Sequence, residues 1–257
     1  MQSENTQGAA DLADAAAVQA FLRARARNGD QVGPFSILFS PGDRGPYANY
    51  AIPADAALPT PAEIVALEEA FRTRKRTPRL EYVPAAAPAL EPALLAAGFE
   101  VELRPPLMTR RRGVASPQPD LEGFDLPFIE DPARLAQAMT VAAEAFGGQA
   151  SDAQWLTSTV ARGGRVLLAH DRASGEPAGT GAIIRPLDGV TEMVGIAVRP
   201  AYRRRGLAQA MTTALADAAF DAGCDLVFLS AAGEAQSEIY ARAGFRRRAP
   251  MLFISKP

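Results

Sequence analysis

VTEMVGIAVRPAYRRRGLA, residues 190–208, is the stretch of the sequence that decides the fold. Its first part is largely apolar, rich in β-branched residues and free of proline, which predicts a strand over Val190–Val198. Arg199-Pro200 ends that strand, because proline cannot donate to a strand ladder. Apolar and small residues then recur at helical spacing over Leu207–Ala218, and Gly223 supplies a stop signal. The stretch therefore predicts a strand, a basic turn and a helix.

The turn between this strand and this helix has the chemistry of a polyphosphate site. It comprises Arg203, Arg204, Arg205, Gly206, Leu207 and Ala208. The first N–H groups of a helix have no intrahelical partner and lie at its positive dipole end, so they attract anions. A Walker loop would need a longer glycine-rich run ending in Lys-Ser/Thr, and a dinucleotide fold would need G-x-G-x-x-G. Neither pattern occurs in this stretch.

Three motifs together resemble the GNAT superfamily, the acyl-CoA-dependent N-acyltransferases. Arg203-x-x-Gly206-x-Ala208 is similar to the Q/R-x-x-G-x-G/A pyrophosphate loop of that family. Ile196–Pro200 is similar to the strand and proline that carry pantetheine, and Tyr240–Phe245 is similar to the Y-x-x-x-G-F ending. The resemblance implies an α/β fold with a mixed sheet, the GNAT fold, and acetyl-CoA as co-substrate.

Length and composition bound the class of protein. The chain has 257 residues, which is enough for one large domain or two small ones. Its 48% hydrophobic and 22% charged residues are typical of a globular protein. The net charge of −2 argues against general nucleic-acid binding or binding to anionic membranes, so we expect neither partner.

Cysteine and histidine are too scarce for two common kinds of site. Cys224 is the single cysteine, which excludes an intrachain disulfide and fits a reducing compartment. With one histidine, His170, the sequence also disfavours a zinc site, and we expect no metal. The N-terminus has no basic and apolar leader pattern, so we expect a cytoplasmic protein.

Several local signals predict where elements begin. Thr60-Pro61-Ala62-Glu63 predicts a capped helix start, as does Asp131-Pro132. Ser151-x-x-Gln154 predicts a capping box for a further helix, and Asp188-Gly189 predicts a hairpin turn. A single strand is expected around Phe124–Ile129.

The two halves of the chain look alike at a shift of 146 residues. Gly98-Phe99 then falls on Gly244-Phe245 (244 − 98 = 146), and Leu80 falls on Leu226. This predicts a tandem repeat of one fold, the alternative being a chance match between alanine-rich segments. We expect a GNAT-like N-terminal domain at 1–112, a linker at 113–120 and a GNAT domain at 121–257.

The N-terminal copy is predicted to be degenerate. Under the same shift the basic turn falls on residues 57–62, where Pro59 and Pro61 remove N–H donors that a phosphate would need. That segment has no arginine or glycine, and Tyr240 falls on Leu94.

The resemblance assigns main-chain groups of Ile196, Ala197 and Val198 to pantetheine and to the thioester carbonyl. Fixed donors of this kind stabilise negative charge that develops on the carbonyl oxygen. Gly195 would ease a β-bulge just before them, or else mark a tight packing position. Glu192 lies four residues before Ile196, and strand alternation predicts that both share a face. The resemblance to histone-acetylating members of the family, which have a Glu at this offset, implies that Glu192 is the general base, directly or through water; the alternative is a surface carboxylate near a strand end.

Tyr240 is similar in position to the general acid of the family, whose hydroxyl faces the CoA sulfur. The alternative is a tyrosine that packs for its ring. The family often has an asparagine seven residues earlier, and here that residue is Gly233. Ser230, Gln236 or Ser237 could compensate, and Ser237 is counted among the cofactor-binding residues.

The sequence thus predicts an N-acetyltransferase that moves an acetyl group from acetyl-CoA to a primary amine in a ternary complex. Two alternatives stay open: a non-catalytic acyl-CoA-binding or regulatory module, and a transferase of a longer acyl group. The resemblance implies that the segment from Phe146 to Trp155 lines the acceptor site. The acceptor itself is a small-molecule or peptide amine of open identity, and the protein is expected to be a monomer or a homodimer.

Overall fold

The computed structural model describes residues 2–40, 44–117, 121–147 and 154–257. The chain forms a mixed α/β fold with two compact units. The first unit comprises Met1–Leu107, Ser230–Ala232 and Arg247–Pro257. The second comprises Met108–Leu229 and Gly233–Arg246.

The following elements lie in the N-terminal half of the chain, and all their strands except the last belong to a six-stranded sheet. They are α1 (Gln2–Ala26), β1 (Asp30–Val32), β2 (Phe35–Leu38), β3 (Tyr50–Pro53), α2 (Pro61–Thr73), β4 (Arg79–Tyr82), α3 (Leu90–Ala96), β5 (Glu100–Leu103) and β6 (Pro106–Arg111). Helix α2 begins as predicted, because Thr60 and Glu63 form a reciprocal capping box. Phe71, Leu80 and Tyr82 are fully buried in the core of this unit.

The following elements lie in the C-terminal half of the chain, and all their strands except the last belong to an eight-stranded sheet. They are β7 (Phe124–Asp125), β8 (Phe128–Ile129), α4 (Pro132–Phe146), α5 (Gln154–Ala161), β9 (Arg165–Asp171), β10 (Pro177–Ile183), β11 (Val190–Val198), α6 (Leu207–Asp221), β12 (Leu226–Ser230), α7 (Glu234–Arg242), β13 (Arg246–Pro250) and β14 (Leu252–Ser255). Strand β11 and the start of helix α6 lie where the sequence predicts them.

Of the other predictions from local sequence patterns, the structure confirms some and contradicts one. Asp131 caps α4 through its side chain, as predicted. Asp188 and Gly189 both have positive φ, 48° and 75°, which is the backbone of a tight hairpin turn. The segment from Phe124 to Ile129 forms two short strands instead of one, and each of them pairs with β9. The predicted capping box at Ser151–Gln154 lies outside the fully described residues.

The repeat is visible in the element bounds. Helix α2 begins at Pro61 and α6 at Leu207, again a shift of 146 (207 − 61 = 146). Each sheet contains a parallel pair at the corresponding place, β3 with β4 and β11 with β12. The two halves therefore repeat one fold, as the tandem prediction required.

The last strand of each repeat lies in the sheet of the other repeat. The order of the first sheet is β1-β2-β3-β4-β14-β5, so β14 inserts between two N-terminal strands. The order of the second sheet is β13-β6-β12-β11-β10-β9-β7, so β6 lies between two C-terminal strands, while β8 pairs with β9. Because β6 and β14 follow β5 and β13 along the chain, the two repeats exchange equivalent strands.

Because of this exchange, the two compact units do not meet at a single point of the chain, whereas the sequence predicts one boundary at residues 113–120. The compact units are not contiguous in sequence, since the chain end from Arg247 to Pro257 belongs to the first unit. Leu252 and Ile254 of β14 are fully buried in the N-terminal core. Strand patterns show where a strand lies along the chain, but the choice of pairing partner depends on contacts between distant residues. Within the described part of the chain, no helix is both long and apolar enough to cross a bilayer.

Candidate active site

Strand β11 carries a β-bulge at Gly195. Thr180 of β10 pairs with Ala197, and Ala182 pairs with Val194, so two steps on β10 match three steps on β11. Gly195 has a φ of 66°, a left-handed conformation that glycine adopts without the steric cost of a Cβ. Of the two interpretations of Gly195, a bulge or a tight packing position, the structure shows the bulge, and a Cβ added there would come no closer than 3.9 Å to another residue.

The bulge reverses the alternation of side chains along β11. Directly paired residues share a sheet face, so Val194 and Ala197 lie on one face and Ile196 lies on the other. In agreement, a Cβ added at Gly181 would lie 2.5 Å from Cδ1 of Ile196. The prediction that Glu192 and Ile196 share a face is wrong, because the extra residue shifts the register by one. The half-buried Glu192 shares the face of Val194 instead.

Strands β11 and β12 pair over a short distance only. Their parallel register runs from Val190 opposite Leu226 to Glu192 opposite Phe228. The rest of β11 continues to pair with β10 on its other side. Main-chain groups of Ile196, Ala197 and Val198 therefore lie past the point where the β12 ladder ends, which leaves room for a ligand to pair with this edge.

The basic loop has the backbone of an anion-binding nest. A single 3₁₀ turn at Pro200–Tyr202 leads into Arg204 and Gly206, whose φ values are 62° and 78°. Gly206 is the N-cap of α6 and no side chain caps the helix. The N–H groups at the start of α6 thus remain available to an anion, as the motif predicts.

Two of the three arginines hold this loop in place. The Arg203 guanidinium donates to the carbonyl oxygens of Val198, at 3.1 Å, and Ala145, at 2.9 Å. The Arg205 guanidinium lies 4.4 Å from the centre of the Phe124 ring and 3.7 Å from a carboxylate oxygen of Asp171. Arg204 is exposed. Arg203 and Arg205 therefore position the loop, while the side chain of Arg204 lies in solvent.

A clamp at the end of β11 escaped the sequence analysis. Arg199 donates two hydrogen bonds to the carboxylate of Glu144, at 2.6 and 2.7 Å, and one to the carbonyl oxygen of Pro177, at 2.8 Å. These hydrogen bonds lower the pKa of Glu144. The sequence marks Arg199 only as the end of a strand, because its partner lies 55 residues away. The clamp ties α4 to the strand that leads into the basic loop.

Tyr240 presents a half-buried phenol from α7. Burial raises its pKa above the usual value, and its ring lies 6.4 Å from the Phe245 ring, centre to centre. Among the described residues we find no hydrogen bond to its hydroxyl group. Because its pKa is raised, the phenol keeps its proton at neutral pH. In the described part of the chain that proton is not donated to a neighbouring acceptor.

The neighbours of Tyr240 on α7 include two of the candidates that could replace the missing asparagine. Ser237 is buried, and its hydroxyl donates to the carbonyl oxygen of Gly233 at 3.0 Å, so it can only accept a further hydrogen bond. Gln236 places Oε1 3.3 Å from the position that a Cβ at Gly233 would take. Gln236 is exposed and thus has its amide near the place of that asparagine.

A cavity of about 270 Å³ opens beside the bulge. Its walls come from α4, α5, β10 and β11, and Gly195 contributes to the lining. Phe146 and Trp155 line it too, as do small residues of α4 such as Ala142. The two aromatic residues lie in the segment that the resemblance assigns to the acceptor.

The only thiol group of the chain is shielded from solvent. Cys224 is fully buried, and burial raises the pKa of its thiol, which disfavours the reactive thiolate. Within residues 2–40, 44–117, 121–147 and 154–257, no three or more His, Cys, Asp or Glu residues cluster closely enough to hold a metal ion.

A bulged strand that separates from its parallel neighbour, followed by a basic loop and an uncapped helix, is the arrangement that the GNAT resemblance predicts. Residues 134–245 match the family model described as the acetyltransferase (GNAT) family. The chain therefore contains a GNAT acetyltransferase domain over these residues. A comparison of the sequence with curated proteins finds no match.

Solved structures extend the likeness to the whole chain. A GCN5-related N-acetyltransferase from Kribbella flavida is 25% identical, with a TM-score of 0.79 over 95% of each chain. A tandem GNAT protein from the clavulanic acid biosynthesis pathway is 18% identical, with a TM-score of 0.60 over 80% of this chain and 77% of that one. A GNAT-family protein from Novosphingobium aromaticivorans, described as a putative acetyltransferase, is 18% identical, with a TM-score of 0.59 over 95% and 98% of the two chains. The fold is thus that of GNAT proteins along nearly the full length.

Proposed function

We propose that this protein is an N-acetyltransferase that moves an acetyl group from acetyl-CoA directly to a primary amine. The observation that carries the proposal is the continuity of β11 and α6. One strand supplies an opened main-chain edge, and the helix that follows it supplies an uncapped, arginine-flanked start. A thioester and a pyrophosphate of one ligand need these two features side by side.

The residues of the site fit the parts of acetyl-CoA. The N–H groups of Gly206, Leu207 and Ala208 would bind the pyrophosphate, helped by the exposed guanidinium of Arg204. Main-chain groups of Ile196, Ala197 and Val198 would bind pantetheine along the opened edge. Gln236 would take the place of the family asparagine, while Ser237 can accept a hydrogen bond.

The proposed chemistry assigns one task to each group. Acetyl-CoA supplies an activated acetyl group as a thioester. The fixed main-chain donors next to the bulge polarise the thioester carbonyl. Glu192 takes a proton from the incoming amine, directly or through a water molecule, and Tyr240 gives its proton to the departing sulfur. The bulge places Glu192 on the sheet face of the cavity-lining Val194, which is where an acceptor in the cavity would lie.

The N-terminal copy is proposed to hold no co-substrate. At the start of α2 the Glu63 carboxylate accepts hydrogen bonds from the Thr60 backbone, at 2.7 Å, and from its hydroxyl, at 2.8 Å. A negative charge therefore already occupies the position that corresponds to the pyrophosphate site, and the hydrogen bonds from Thr60 lower the pKa of Glu63. Pro61 removes a further N–H group.

The decisive experiment measures release of free CoA thiol from acetyl-CoA in the presence of a panel of primary amines, alongside calorimetric binding of acetyl-CoA. Binding together with amine-dependent thiol release supports the transferase. Binding without thiol release from any amine would instead identify a non-catalytic acyl-CoA-binding module. If the protein neither binds acetyl-CoA nor releases thiol, the proposed site itself is contradicted.

A further inference from the structure

The cavity beside Gly195 has a mostly apolar wall in the part that the structure describes. Alanines of α4 and the side chains of Met139, Phe146, Trp155 and Leu156 form most of its wall. Among the lining residues that the structure describes, none carries a charge. A charged group placed here would lose its hydration without gaining an opposite charge.

The two polar side chains in the described part of the wall already have partners. The Thr180 hydroxyl donates to the carbonyl oxygen of Leu167 at 2.9 Å. The Trp155 indole N–H points at the Met139 sulfur, 2.8 Å away. Neither donor is left over to select a polar ligand, so recognition in the cavity depends on apolar contact.

Two large aromatic side chains leave apolar surface for an occupant. Phe146 is 67% exposed and Trp155 is 36% exposed, although both line the cavity. Exposed apolar surface around a cavity is typical of a binding site. At about 270 Å³ the cavity is larger than the roughly 150 Å³ that accommodates benzene.

We infer that this cavity binds an uncharged apolar group of about six to ten heavy atoms carried by one of the two substrates. The inference rests on the proposed transferase function and adds the class of substrate. Gly195 joins the cavity to the bulge, so the group lies next to the reacting carbonyl, either as the body of the amine or as an acyl chain longer than acetyl. Polyamines and acidic acceptors are disfavoured.

Equilibrium binding tests this inference without turnover. In one arm, calorimetry compares acetyl-, butanoyl- and hexanoyl-CoA. In the other, it compares methylamine, butylamine, hexylamine and benzylamine on the CoA-bound protein, with putrescine as an analogue of butylamine that carries a second charge at the far end of the chain. Affinity should rise about fourfold per buried methylene in one of the two arms. The arm in which it rises shows whether the acyl group or the amine carries the apolar group. Flat affinities in both arms would overturn the inference.

Matched variants show whether the cavity causes the rise in affinity with chain length. Ala142→Leu narrows the cavity, whereas Ala136→Leu makes the same change on the exposed face of α4. The rise in affinity with chain length should flatten in the first variant and persist in the second. Phe146→Ala, at an exposed position that folding tolerates, should also flatten it. An unchanged rise in both Ala142→Leu and Phe146→Ala would place the apolar group elsewhere.

The experiments distinguish a failure of the proposed transferase function from a failure of the inferred apolar pocket. Thiol release with small amines but flat binding series would remove the apolar pocket and leave the transferase. A binding gradient without thiol release from any pair would leave an apolar-ligand site and remove the transferase.

Discussion

At the scale of single residues, the role of Tyr240 is the sharpest test of the chemistry. Tyr240→Phe keeps the ring and its packing against Phe245 and removes only the hydroxyl group. Because a positioned general acid contributes about 10²- to 10⁴-fold, turnover should fall by that factor. Steady-state thiol release measures the fall, while melting temperature and CoA affinity should stay at the level of the original protein.

Near-normal turnover in a folded Tyr240→Phe variant would contradict the assignment. The pH dependence adds a second check. Burial raises the pKa of Tyr240 above its usual value near 10, so the phenol keeps its proton until the pH passes that raised pKa. The ratio of turnover between the original protein and the Phe variant should therefore stay constant from about pH 6 to about pH 9. A ratio that shrinks within this range would mean that Tyr240 ionises there.

At the scale of elements, the start of α6 depends on the left-handed backbone of Gly206. Asp and Asn have the same shape, both tolerate this conformation and both favour the N-cap, so they differ here mainly in charge. Gly206→Asp should weaken CoA binding by at least about tenfold relative to Gly206→Asn, because its carboxylate occupies the phosphate site. Calorimetry measures the affinities.

Thermal unfolding of the same two variants separates binding from folding. Both should melt at the same temperature, somewhat below that of the original protein, since a side chain at a φ of 78° costs about 1 kcal/mol relative to glycine. Equal CoA affinities in the two variants would show that the phosphates do not bind at this helix start.

At the scale of the whole molecule, the exchanged strands make each sheet depend on distant sequence. Ile254 of β14 is fully buried in the N-terminal core, and replacing a buried isoleucine by alanine costs about 2–5 kcal/mol. Ile254→Ala should therefore lower amide protection in β4 and α2. Ile183→Ala, the same change in β10, should lower it in β9 and β11 instead. Hydrogen exchange resolved by segment distinguishes these outcomes, and protection lost only around β13 in Ile254→Ala would contradict the exchange.

The two copies should also differ in ligand stoichiometry. Only the C-terminal copy combines an opened strand edge with an uncapped helix start, while Glu63 and Pro61 block the N-terminal one. Calorimetric titration should give one acetyl-CoA per chain. Two equivalent sites would show that the N-terminal copy has kept its function.

The sequence by itself determined the features that depend on neighbouring residues. The bounds of β11, the start of α6 and the capping box of α2 follow from side-chain periodicity, from Pro200 and Gly206, and from the spacing of Thr60 and Glu63. Each is a local preference of the chain, so a single sequence suffices to read it. The family motifs and the repeat are likewise recognised from the order of residues within short segments.

The tertiary structure alone decided the features that join distant residues. Gly195 signals a bulge, but only its pairing with β10 shows that Ile196 turns away from the face of Glu192. The clamp between Arg199 and Glu144, the apolar cavity and the exchange of β6 and β14 all bring together segments far apart in the chain. Such contacts depend on which surfaces pack together, and local patterns carry no information about that choice.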